Sequence, residues 1–300
     1  MNTTESGKTL DTLFHQAVSA IDAGDVTTLE HLLAAHSELV RERLDFPGAW
    51  LRDKVGKALD GFFQRPYLLW FVAEDPVRNA KAPRNIAEIA RAIIQAARRG
   101  GVNSLREQLD YALRLVCWSW IARECGVQIQ LIDVLTDAGA PVDGTHSDAA
   151  IYNGNFAAAA HLLERGAPLT LSTALCLGRW ADLERLARTS SLGEKQDAFV
   201  LAALKGQAEA LRRMLALGDQ VEIRGLFRRR RGVINYVPGI STPHGEMEHN
   251  ALYWVGISFT GGGFTGVLVD PDTGCTLKKI VFLARGAAEA ATPLPPEPFE

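Results

Sequence analysis

The sequence predicts a mainly α-helical protein, a solenoid of repeated helix pairs followed by a small C-terminal antiparallel β-meander. Three observations predict it. A frame of Ala and Gly recurs, with Ala150, Ala174 and Ala202 each four residues before Gly154, Gly178 and Gly206. Apolar residues then follow each glycine at two, five, eight and nine positions: Phe156, Ala159, Leu162 and Leu163; Trp180, Leu183, Leu186 and Ala187; Ala208, Leu211, Met214 and Leu215. Residues 20–33 around Gly24 and 122–135 around Gly126 fit the same frame. After Glu222 the helical periodicity stops and runs of β-forming residues begin.

The glycine ends one helix and opens the turn to the next, because it enters the left-handed region without a Cβ clash. The apolar positions after it lie on one face at a 3.6-residue period. A single helix pair cannot bury that stripe alone, so neighbouring pairs are expected to stack and share a core.

Several copies end with a second glycine in a small-residue turn. Leu131-Ile-Asp-Val-Leu-Thr-Asp-Ala-Gly-Ala-Pro-Val-Asp143 and His161-Leu-Leu-Glu-Arg-Gly-Ala-Pro-Leu169 resemble the second helix and following turn of ankyrin repeats. The Ala-x-x-x-Gly-Asn/Asp frame resembles the end of the first helix in that family. The resemblance spans most of residues 10–222 and implies an ankyrin-like solenoid that binds a protein through its concave helix face and inter-repeat loops. The Thr-Pro-Leu-His opening of a standard repeat is absent, Thr242-Pro-His-Gly245 being a fragment of it, and the copies are shorter than the family's repeat of about 33 residues.

In chain order, 1–8 is a disordered N-terminus and 9–222 the repeat domain. Leu13, Phe14, Ala17, Val18 and Ile21 form the first helical stripe, with Thr9 or Asp11 as its cap. Residues 26–39 form its partner helix. Residues 45–84 interrupt the frame. Asp45-Phe-Pro-Gly is a turn, 50–63 an irregular helix, and Arg65-Pro-Tyr-Leu-Leu-Trp-Phe-Val-Ala73 an aromatic run read as a core plug. Residues 85–99 form an amphipathic helix whose Arg98 and Arg99 complement its dipole. A long helix capped by Ser104 runs on to Gly126, and its Tyr111, Trp118 and Trp120 are assigned to the core. Residues 223–284 combine a basic linker with a three-stranded meander over 253–259, 264–269 and 276–283; 285–300 is a disordered Pro-rich tail.

A formal charge of −3 argues against a general nucleic-acid binder, and 47% hydrophobic with 22% charged residues is an ordinary globular balance. No stretch is long and apolar enough to span a membrane, and the polar first residues carry no secretory signal. Cys117, Cys125, Cys176 and Cys275 lack paired metal spacing and read as reduced thiols, in keeping with a cytoplasmic protein.

No catalytic residue or cofactor is expected: there is no nucleophile elbow, no phosphate loop and no thiol with a local base. His244, Glu246, Glu248 and His249 are metal-capable side chains, but their spacing matches no zinc signature. Asp75, Arg78 and Asn79, on a Pro-bounded polar loop, are the candidate partner-binding residues of the N-terminal half. Arg228, Arg229, Arg230 and Arg231 are those of the C-terminal half. The expected function is a non-catalytic protein-binding scaffold, with an inhibitory or immunity-like protein as its narrower form. Two alternatives are a metal- or small-ligand-binding C-terminal module and a nucleic-acid-associated regulator acting through the arginine run.

Overall fold

Each glycine of the repeated frame is the turning point of a helix hairpin. Gly24, Gly126, Gly154, Gly178 and Gly206 have φ from 64° to 76°. In all of them the glycine N–H donates to the carbonyl three residues back. The next N–H reaches the carbonyl of the frame's alanine: Asp25 to Ala20 at 2.9 Å, Val127 to Ala122 at 2.9 Å, Asn155 to Ala150 at 2.8 Å, Arg179 to Ala174 at 2.8 Å and Gln207 to Ala202 at 2.9 Å. This is the Schellman closure, and it satisfies carbonyls that a helix end otherwise leaves open. The alanines are 5% exposed or less, so their small size serves packing.

The protein, seen in a computed structural model, is mainly α-helical. The structure describes residues 3–216, 220–224, 229–236, 253–259, 264–269 and 279–283, with side chains over 9–214 except Leu192 and Arg212. It divides into two compact units, Met1–Pro168 and Leu169–Glu300.

The first unit begins with α1 (Thr3–Ala23), so the backbone expected to be disordered before Thr9 is helical from Thr3 on. Asp11 therefore lies inside a helix and is not a cap. Its carboxylate accepts from the Gly48 N–H and from the Trp50 indole, both at 2.8 Å. The partner helix is split into α2 (Val26–Ala35) and α3 (Glu38–Arg41). Asp25 caps α2 by accepting from the Thr28 N–H at 3.0 Å. Next come α4 (Ala49–Val55) and two 3-10 helices, Gly56–Asp60 and Leu68–Ala73.

All six residues of the second 3-10 helix are buried, and it packs against α1, α5 (Ile86–Arg99) and α6 (Leu105–Trp118). Phe71 meets Phe63 edge-on at 5.2 Å and Phe14 at 6.4 Å. The aromatic run is thus core, and each large side chain contributes about 1.5–3 kcal/mol by leaving water.

The helix expected to reach Gly126 breaks at Ser119, whose extended backbone ends α6 and whose hydroxyl caps α7 (Trp120–Glu124) through the Ala122 N–H at 3.0 Å. Ser104 makes no side-chain cap on α6; its hydroxyl accepts from Gln108 instead. The unit closes with α8 (Gln128–Asp137), α9 (Gly144–Tyr152) and α10 (Phe156–Glu164). Gln128 occupies an apolar position of the frame and is buried, but its amide donates to the Val116 and Ser119 carbonyls at 2.8 and 3.2 Å. A buried polar group is tolerated because it is satisfied.

The second unit holds α11 (Leu171–Cys176), α12 (Trp180–Thr189), α13 (Leu192–Leu204) and α14 (Ala208–Ala216). Ser191 and Glu194 form a reciprocal capping box at the start of α13. Beyond α14 the backbone forms β1 (Gln220–Arg224), β2 (Arg229–Tyr236), β3 (Tyr253–Phe259), β4 (Phe264–Val269) and β5 (Lys279–Leu283). They pair antiparallel in the order β4-β3-β2-β1-β5. β3 and β4 pair antiparallel, and residues 260–263 between them lie outside the described residues. The third predicted strand pairs instead with β1, and the stretch read as a basic linker includes β2.

Candidate functional site

The loop after the buried 3-10 helix is locked by one carboxylate. Glu74 has left-handed backbone (φ 51°) and is 2% exposed. Its Oε1 accepts N–H bonds from Arg78 at 2.9 Å, from Asn79, and from Ala80 at 3.1 Å. Its Oε2 pairs with the Arg78 guanidinium at 2.9 Å. The same Arg78 nitrogen reaches Asp22 of α1 at 2.8 Å and the Phe71 carbonyl at 2.9 Å, and the guanidinium lies 5.0 Å over the Phe71 ring. Asn79 extends the bridge, donating to Asp22 at 2.7 Å and accepting from Lys54 at 2.7 Å. Arg78 and Asn79 thus hold the loop to α1. A carboxylate fed by several N–H groups and a paired guanidinium is stable in the interior only as a complete set.

Asp75 is the exception in this loop. Its carboxylate is half-buried and makes no hydrogen bond or ion pair among the described residues. Burial pushes its carboxyl up to about 6, and the neighbouring Glu74 charge adds to the effect.

A group of aromatic side chains drawn from separate elements gathers around Tyr111. The Asp75 charge reaches Tyr111 of α6, whose phenol is raised by burial, with Arg114 opposing and Asp75 adding. Tyr111 lies 4.4 Å from the Trp70 ring and 6.4 Å from Trp118, and its hydroxyl donates to the Phe62 carbonyl. Phe62 in turn meets Trp118 edge-on at 5.8 Å. Tyr111 and Trp118 are half-exposed, Phe62 is 43% exposed, and Val77 of the loop is 36% exposed. The buried indole N–H of Trp70 has no acceptor among the described residues. Arg43 covers the far side of Tyr67 and Trp70, at 4.3 and 5.2 Å from their centroids.

Of the sequence-predicted candidates, Asp75, Arg78 and Asn79 come together in this loop. Arg78 and Asn79 are engaged with Glu74, Asp22 and Lys54, although Arg78 Nε and Nη1 have no hydrogen-bond partner among the described residues. The Asp75 carboxylate makes no ion pair among them. Arg229, Arg230 and Arg231 fall on the backbone of β2; Arg228 and the set His244, Glu246, Glu248 and His249 lie outside the described residues. Among the described residues no three His, Cys, Asp or Glu side chains are placed to hold a metal ion, and no helix is long and apolar enough to cross a membrane.

Tyr111, Trp118 and Trp120 were expected in the core. Tyr111 and Trp118 are instead half-exposed and Trp120 is 50% exposed. The helical period carries the signal: Leu109, Ala112, Leu113 and Val116 face the core, whereas Tyr111 and Trp118, seven residues apart, fall on the opposite face of α6. Phe62 gave no periodic signal, since it follows a 3-10 turn.

Comparison of the chain with protein-family models, with curated proteins and with solved structures returned no match. The class of the site rests on its geometry. It is a rigidly held, partly exposed aromatic surface with one unpaired carboxylate.

Proposed function

We propose that this protein is a non-catalytic protein-binding scaffold of ankyrin-like helix hairpins, and that Phe62, Tyr111 and Trp118 form its contact surface in the first unit. The observation that supports it is the clustering of these partly exposed rings beside a loop locked by buried hydrogen bonds. Large aromatics supply most of the energy of protein interfaces, and a surface fixed in advance loses little entropy on binding. The repeated glycine turn supports the ankyrin-like reading, since the same closure recurs at each hairpin.

Photo-crosslinking in the native cell tests the proposal. A benzophenone side chain placed at Phe62 is expected to yield one discrete adduct with a protein, and one placed at exposed Arg91 of α5 to yield none. Absence of any adduct from Phe62, or the same adducts from both positions, would remove the proposal.

A further inference from the structure

We infer that the surface around Asp75 accepts a basic side chain of the protein partner, an arginine guanidinium resting on the Tyr111 and Trp118 rings with the Asp75 carboxylate as its counter-charge. The inference rests on the protein-binding reading above and deepens it.

The unpaired carboxylate is the first support. Glu74 and Asp22 are both paired with the Arg78 guanidinium, and the Lys54 ammonium donates to the Asn79 amide oxygen. Neither cation pairs with Asp75, whose carboxylate makes no ion pair among the described residues. Arg114, whose charge also reaches Tyr111, makes no ion pair with Asp75 among the described residues. A half-buried carboxylate with no partner is an unfavourable arrangement that an incoming cation relieves.

The rings are the second support. Tyr111 and Trp118 stand edge to face at 80°, both half-exposed, and the Asp75 charge reaches Tyr111. A guanidinium is planar and weakly hydrated, so it stacks on a ring and still donates in the plane to a carboxylate. The protein already makes such contacts with its own arginines, Arg43 over Tyr67 and Arg78 over Phe71.

The full chain is titrated with the peptide acetyl-Gly-Gly-Arg-Gly-Gly-amide and with its citrulline counterpart, following tryptophan fluorescence and amide chemical shifts. The citrulline peptide keeps the shape and loses the charge. The arginine peptide is expected to bind roughly three- to thirtyfold tighter. That preference is expected to vanish in Asp75→Asn and to shrink from about pH 7.5 to about pH 5, as Asp75 takes up a proton beside Glu74, Asp22, Arg78, Arg114 and Tyr111. Phe62→Ala, at an exposed position, serves as a second variant and is expected to weaken binding of the arginine peptide. Equal affinity for the two peptides, or a preference unchanged in Asp75→Asn, overturns the inference. A partner crosslinked at Phe62 whose binding ignores Asp75→Asn overturns it too, while leaving the scaffold reading in place. An arginine preference with no partner captured keeps the cation site and removes the scaffold reading.

Discussion

Glu74 and Asp75 are neighbours of the same chemical type, and their surroundings give them opposite effects on stability. Glu74 is fully committed, with three N–H donors on one oxygen and Arg78 on the other. Glu74→Gln keeps an acceptor for the loop but removes the charge on the Oε2 side of the Arg78 guanidinium, leaving Asp22 as its ion-pair partner. A loss of about 1–3 kcal/mol is expected, read from the urea midpoint at unchanged slope. Asp75 has no such partners. Its carboxyl is held at about 6 in the folded chain against an ordinary 3.8, so between those values the folded chain binds a proton that the unfolded chain has released. Stability therefore falls as pH rises through that window and stays lowered above it. Asp75→Asn does not titrate. It is expected to be more stable than the parent near neutrality by roughly 1–3 kcal/mol, with the gap closing towards about pH 4. A variant that gains stability and loses arginine binding would mark Asp75 as a residue kept for contact.

At the scale of elements the hairpin turn is the repeated unit, and its glycines separate two costs. At Gly126 a new Cβ meets nothing within 4 Å, so Gly126→Ala bears only the left-handed backbone penalty, about 1 kcal/mol. At Gly24 the same Cβ would stand 2.6 Å from the Asn85 Oδ1 and 3.0 Å from Pro83 Cβ. Asn85 also donates to the Gly24 carbonyl, so moving it aside breaks a bond that ties the first hairpin to the start of α5. Thermal unfolding of the two variants is expected to show Gly24→Ala as clearly the more costly; equal losses would mean that the Asn85 contact holds nothing. These turns were legible in the sequence because each rests on local chemistry, an alanine and a glycine four residues apart. What was not legible depends on distant groups. Ser119 breaks α6 by capping the next helix, and no periodicity announces that. The loop of Glu74 reads as a polar, solvated stretch until Arg78 and Asp22, 56 residues away in sequence, are seen to close on it. Of the candidate site, Asp75 was found because Pro-bounded loops on rigid frames draw attention, whereas the two rings of α6 were hidden by the habit of burying aromatics.

At the scale of the whole molecule, each unit contains a buried thiol that reports on its own unfolding. Cys117, in the first unit, and Cys176, in the second, are buried, and Cys125 is half-buried, accepting the Ala82 N–H at 3.3 Å. Burial also raises the Cys117 thiol well above its ordinary value, so it is both shielded and short of thiolate. In native conditions a soluble alkylating reagent is expected to modify Cys125 before Cys117 or Cys176, as followed by peptide mass spectrometry. The loop and Cys117 are linked through packing: Arg78 holds the Phe71 carbonyl, and the 3-10 helix containing Phe71 lies on α6, where Cys117 sits. If that chain of contacts carries the loop's stabilisation into the core, Glu74→Gln should speed Cys117 labelling roughly five- to a hundredfold, as the open form of that region gains population. Cys176, read in the same digest, gives the response of the second unit to the same substitution. An unchanged Cys117 rate would show that the locked loop is a local ornament of the surface and that the core of α6 stands without it.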